Sequence, residues 1–166
     1  MKIKPLNEDW SDLEHAYGSA QDVPELLETF KQSPNRRTWD NLWSCLCHQG
    51  TFYSATWWAL PHIVEVVKNT TSKDEQEFYL FLTTIEITRQ ICKVSLTEDE
   101  QALRDYAFEQ AVQLTPAYLS RHLENADVLQ SVLAFYAVLG QNAHLAEMLI
   151  MLPKSLENVL DEKIEM

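Results

Sequence analysis

The chain has 166 residues, of which 46% are hydrophobic and 23% charged, the make-up of one ordinary domain able to bury a core without metals or disulfides. Acids outnumber bases 25 to 13, and a formal net charge of -12 repels phosphate backbones and anionic membranes, which excludes a basic nucleic-acid-binding surface. No apolar run approaches the roughly 20 residues that span a bilayer, no apolar stretch follows Met1-Lys2-Ile3-Lys4-Pro5 as a signal peptide requires, and Cys45, Cys47 and Cys92 form no disulfide framework, so a cytoplasmic protein is expected.

The only glycines are Gly18, Gly50 and Gly140, each at an expected helix end, where a left-handed residue is often needed. A chain that uses glycine nowhere else is expected to be helical throughout. Ser11-x-x-Glu14 predicts a capped helix running to Gly18, and Asp22-x-x-Glu25 opens the next. In that second helix Val23, Leu26, Leu27 and Phe30 make an i, i+3, i+4, i+7 stripe. Ser33-Pro34-Asn35 interrupts the pattern, and Trp39, Leu42, Trp43 and Leu46 form a facing stripe, completing a hairpin.

After His48-Gln49-Gly50-Thr51 a helix is expected from about Tyr53 to Asn69, kinked by Pro61. A longer one follows from about Lys73 to Val94, capped by Ser72-x-x-Glu75. Its two stripes, Phe78-Phe81-Leu82-Ile85 and Leu80-Thr84-Ile87-Ile91, make it a central helix covered on both sides. Thr97-x-x-Glu100 starts a helix to about Leu114, and Thr115-Pro116 restarts the chain into a short one ending near Glu124. Asp127 to Leu139 reads as a buried helix stopped by Gly140. Asn142 to Leu152 carries Leu145, Met148, Leu149 and Leu152 inward, and Pro153 and Ser155 open a last helix whose Leu156, Val159 and Leu160 close the core.

No period-two segment or Asn-Gly turn suggests strands. Hairpins starting near residues 22, 53, 98 and 127 recur at the irregular spacing of helical repeats. The expected architecture is one all-α domain over residues 1–166, a HEAT-like stack of helical hairpins with a concave face suited to binding.

Two segments carry a resemblance. His15-Ala16-Tyr17-Gly18-Ser19-Ala20 with Asp22-Val23-Pro24-Glu25-Leu26-Leu27, and His48-Gln49-Gly50-Thr51 with Tyr53, Ala55-Thr56 and Pro61, resemble the opening of a group of short bacterial HEAT-like proteins. The resemblance covers about the first 60 residues and departs at Trp57-Trp58 and His62. It implies an armadillo-type α-superhelix and, as in some members of that group, a role as an immunity protein against a delivered toxin.

Signatures of catalysis are sought and not found. Isolated glycines exclude Gly-rich phosphate loops, dinucleotide fingerprints and nucleophile elbows. No histidine follows a glutamate at the Glu-x-x-His spacing of helical di-metal sites. Cys45 and His48 share a helix face but lack a further ligand, so cysteines filling a helix contact are expected rather than a metal site or a catalytic pair. His48-Gln49-Gly50-Thr51 reads as a helix connection, with part of a binding rim as the alternative.

The acid excess is spread along the chain: 8 acids and 5 bases in residues 1–50, 8 and 4 in 51–100, 9 and 4 in 101–166. An acidic body of this kind attracts basic partners, the alternative being that the acidity simply keeps the protein soluble. The expectation is a non-catalytic protein-binding module without cofactor, contacting a basic toxin domain through Trp57, Trp58, His62 and Glu65 on one helix and Glu25 and Glu28 on the preceding one. The rival expectation is a scaffold or regulatory subunit of a cellular complex.

Overall fold

The structure, a computed structural model, describes residues 2–70 and 76–152. The expected Ser72-x-x-Glu75 cap and the helix carrying Leu156, Val159 and Leu160 lie outside the described residues. Strands β1 (Glu14–His15) and β2 (Gly18–Ser19) precede helices α1 (Val23–Gln32), α2 (Arg36–Leu46), α3 (Ser54–Asn69), α4 (Gln76–Cys92), α5 (Glu98–His122), α6 (Ala126–Leu139) and α7 (Ala143–Met151), with a 3₁₀ turn over His48–Gly50. The fold class is all-α. No described helix is long and apolar enough to cross a membrane.

The first departure from expectation is at the N-terminus, where no helix leads to Gly18. Ser11 is captured by Asp9 instead of capping, its amide and hydroxyl both donating to that carboxylate at 2.8 and 2.7 Å. The chain then turns into a two-stranded antiparallel hairpin pairing Glu14 with Ser19 and His15 with Gly18. Gly18 serves as the turn residue, at φ 119°, a conformation that L side chains resist. Asp22 also makes no cap, because its carboxylate accepts from His15 Nε2 at 2.8 Å.

Other starts follow the residues. Thr97 and Glu100 form the expected reciprocal box, Glu100 N donating to Thr97 Oγ1 and Thr97 N to Glu100 Oε2. Asn35 and Thr38 do the same for α2, a pairing outside the Ser/Thr-x-x-Glu pattern.

Pro116 does not end a helix, so the expected restart at Thr115-Pro116 is corrected: α5 runs through it. The proline removes the donor to the carbonyl of Val112, a residue on the exposed side of α5. One turn back, the Thr115 and Tyr79 hydroxyls both reach the Ala111 carbonyl, at 2.8 and 3.2 Å, and hold the backbone in register. At the end of α6 the roles of neighbours are exchanged. Gly140 keeps an ordinary φ of -73°, and Gln141 takes the left-handed position at φ 60°.

Helix α3 packs on both α1 and α5, α4 packs on α6 and α7, and the sequential neighbours α1 and α2, and α6 and α7, pack on one another. Side chains join α4 back to α2, where Trp39 and Trp43 lie 6.4 and 5.1 Å from Phe81 between ring centroids. Tyr79 carries the aromatic core on to Phe135 of α6 at 5.4 Å. Of the four apolar residues expected inward on α7, Leu145, Met148 and Leu152 are exposed and Leu149 is half-buried, while Ala146 is the buried residue of the helix. A small residue at the contact lets this short helix approach α6 closely, and Gln130 Nε2 of α6 donates to the carbonyls of Leu149 and Leu152.

The second stripe of α4 is likewise not a buried face, since Ile91 is exposed and Leu80, Thr84 and Ile87 are half-buried. What secures α4 on its two sides is a pair of buried carboxylates. Glu77 accepts from the Arg36 guanidinium and from Trp43 Nε1 (2.9 Å) of α2. Glu86 accepts from Arg89 at 2.6 and 2.9 Å, from Arg104 of α5 at 2.9 and 3.0 Å, and from Gln90 at 3.0 Å. Burial pushes the Glu86 carboxyl up, but the bonds from Arg89, Arg104 and Gln90 outweigh it and hold the group below its ordinary 4.5.

Glu86→Ala is expected to cost about 3–5 kcal/mol in denaturant titrations, because it strands the arginines in the interior. With the folded value lowered, this stabilisation is complete above the ordinary carboxylate range and disappears as pH falls through and below 4.5. Gln141→Gly is expected to raise stability by about 1 kcal/mol in thermal melts, by removing a side chain from a left-handed residue.

Candidate functional site

The stripe Trp58-His62-Glu65 lies on one face of α3, at helical spacing, and Trp57 turns away from it. Trp57 is therefore corrected as a contact residue: it is buried, its ring edge-on to Phe52 at 5.0 Å, and has no surface to offer. Trp58 is half-buried against the core. Its neighbours further along α3 open into a groove of about 450 Å³ between α3, α1 and the N-terminal segment. Leu6, Leu27 and Val66 line it with apolar surface, and Lys31, His62, Glu65 and Asn69 supply polar groups.

His62 is the anchor of this groove. Its Nε2 donates to the carbonyl of Lys4 at 2.9 Å, and its ring lies 6.0 Å from that of Trp10, so it fastens the N-terminal segment to α3. Burial lowers its pKa; the Lys4 carbonyl and the Glu28 carboxylate oppose that shift without cancelling it. Glu28 is thus close enough to act on His62, whereas Glu25 stands one turn earlier on the exposed side of α1. Glu65 is exposed and accepts from Asn69 Nδ2 at 2.8 Å. The structure gathers Trp58, His62, Glu65 and Glu28 around α1 and α3, and leaves Glu25 at the margin.

A second cluster forms where the two polar glycine-bearing segments converge. Ala16 N donates to the Cys45 carbonyl and Glu14 N to Ser54 Oγ, both at 2.9 Å, which seats the hairpin on the end of α2 and the start of α3. Ser54 is therefore spent on the hairpin, and the start of α3 is held by Thr56, whose hydroxyl accepts from Tyr53 N. His15 uses both ring nitrogens, Nε2 toward Asp22 and Nδ1 accepting from Tyr17 N at 3.1 Å. The Tyr17 hydroxyl meets Ser44 Oγ at 2.7 Å and reaches His48 Nδ1 at 3.5 Å.

The connection His48-Gln49-Gly50-Thr51 has two consecutive left-handed residues, Gln49 at φ 52° and Gly50 at φ 77°. It is pinned from behind by Thr88 of α4, whose hydroxyl donates to the Gly50 carbonyl at 2.6 Å. Nothing in the separation of these segments along the chain announced their meeting. The available signal was local: polar side chains beside glycine with no apolar stripe to direct them inward.

The Cys45 and Cys47 thiols are held back from ionising. Burial pushes Cys47 up to about 12, and burial followed by the Asp22 charge raises Cys45. Among the described residues no three His, Cys, Asp or Glu side chains are grouped to hold a metal. Comparisons with models of known protein families, with curated proteins and with solved structures find no match.

Because the His62 value is lowered, its contribution to stability is complete above the ordinary 6.5 and is lost as pH falls through the folded-state value. Histidine resonances followed by NMR should show His62 titrating below 6.5. His62→Ala should raise amide exchange in residues 4–10 by about tenfold, corresponding to the roughly 1–1.5 kcal/mol of one hydrogen bond.

Proposed function

We propose that the chain is a non-catalytic protein-binding module, an immunity protein that neutralises a basic toxin domain by covering its active surface. The observation that carries this reading is the net charge of -12, distributed over the body, with Glu25 and Glu65 exposed beside the α1–α3 groove. An acidic surface is steered toward a cationic site and competes there with phosphate, so a basic enzyme acting on nucleic acid is the fitting target. Packing of sequential pairs, α1 with α2 and α6 with α7, together with that of α3 on α1 and α5, supports a HEAT-like stack of hairpins, whose rigid edges suit occlusion without chemistry.

Tagged protein incubated with lysate of its own cells at low and high salt, with bound chains identified by mass spectrometry, is expected to retain a basic toxin domain chiefly at low salt. Recovery of a housekeeping complex insensitive to salt would instead establish a scaffold or regulatory subunit. With the toxin domain in hand, the triple variant Glu25→Gln, Glu28→Gln, Glu65→Gln should slow association about tenfold at low ionic strength and little at high, as loss of electrostatic steering requires.

A further inference from the structure

We infer that the tip of the β1–β2 hairpin is a docking point for an arginine side chain of a basic protein partner, the guanidinium lying on the Tyr17 ring. This rests on the reading of the chain as a protein-binding module and gives that module a specific surface. Tyr17 is 64% exposed, so packing in the core does not account for a large aromatic at this position.

The side chain is nevertheless held in place. Its hydroxyl is fixed by Ser44, and its ring contacts His48 and His15 at centroid distances of 5.6 and 5.9 Å. Binding on it therefore costs little side-chain entropy. The tip is also open: apart from its chain neighbours Tyr17 and Ser19, no residue comes within 4 Å of the position a Cβ would take on Gly18.

The surroundings select a cation. Ser19, Ser44, His48 and Gln49 are polar, which leaves no apolar floor for an aliphatic anchor. Glu14 is exposed on the hairpin, and Asp22 just beyond it is exposed while accepting from His15, so the charge next to Tyr17 in the chain is acidic. An aromatic face attracts a cation, and a planar, weakly hydrated guanidinium stacks on it better than an ammonium does.

The test is an amide NMR titration of the full chain with a hexa-arginine peptide, repeated with Tyr17→Ala, Tyr17→Leu and Tyr17→Phe. Expected are shifts centred on Tyr17, Gly18, His48 and Gln49, binding weakened roughly fivefold by Ala and by Leu, and binding within about twofold of the parent with Phe, since only Phe keeps the ring face. Hexalysine should bind more weakly than hexa-arginine. Shifts centred on Glu25, Glu28 and Glu65, with the Tyr17 variants unchanged, would overturn this surface while leaving the protein-binding reading intact. A spectrum that does not respond to hexa-arginine at all would overturn the arginine docking point itself.

Discussion

The structure depends on how α4 is held between its neighbours, and the holding is done by charge. Glu77 and Glu86 are separated by nine positions, about two and a half helical turns, so they leave α4 on opposite sides. One reaches Arg36 and Trp43 of α2, the other Arg104 of α5. A buried carboxylate is tolerable only when its lone pairs are matched by donors, and each of these has its set. Apolar contacts alone would let helices slide along one another; these bonds set the register of α4 against both.

The same helix carries that register outward to the surface. Gln90, beside the Glu86 cluster, donates to the Val138 carbonyl and ties α4 to the end of α6. Thr88 holds the Gly50 carbonyl, which fixes the left-handed connection between α2 and α3. That connection presents His48 to Tyr17, and the end of α2 presents the Cys45 carbonyl to the hairpin. The exposed tip of a strand pair only two residues long is thus held by the end of α2, the start of α3 and the connection between them. Isolated, such a short hairpin would not persist.

The helical segments were legible because their apolar residues recur at 3.6-residue spacing, and the stripes of α1 and α2 lie where that spacing puts them: Val23, Leu27 and Phe30 buried in one, Trp39, Leu42 and Leu46 in the other. The candidate contacts were legible only in part. Trp58, His62 and Glu65 share a face by helical arithmetic, but adjacent tryptophans point about 100° apart, and the identity of the buried one depends on where α3 meets its neighbours. The burial of Glu77 and Glu86 was not legible, because a carboxylate in a sequence gives no sign of the arginine that will reach it. Ser11-x-x-Glu14 misled for a related reason: Asp9 accepts from both the amide and the hydroxyl of the serine and draws it into a local turn.

Periodicity, caps and composition by themselves determined the helical class and most helix boundaries, along with the acidic character of the whole surface, because these depend on spacings of a few residues and on a sum over the chain. The tertiary structure alone decided the conversion of the first segment into a hairpin, the continuation of α5 through Pro116, the exposure of most of the α7 stripe and the meeting of Tyr17 with His48. Each of these turns on a partner distant in sequence, and such partners are chosen only when the helices have packed.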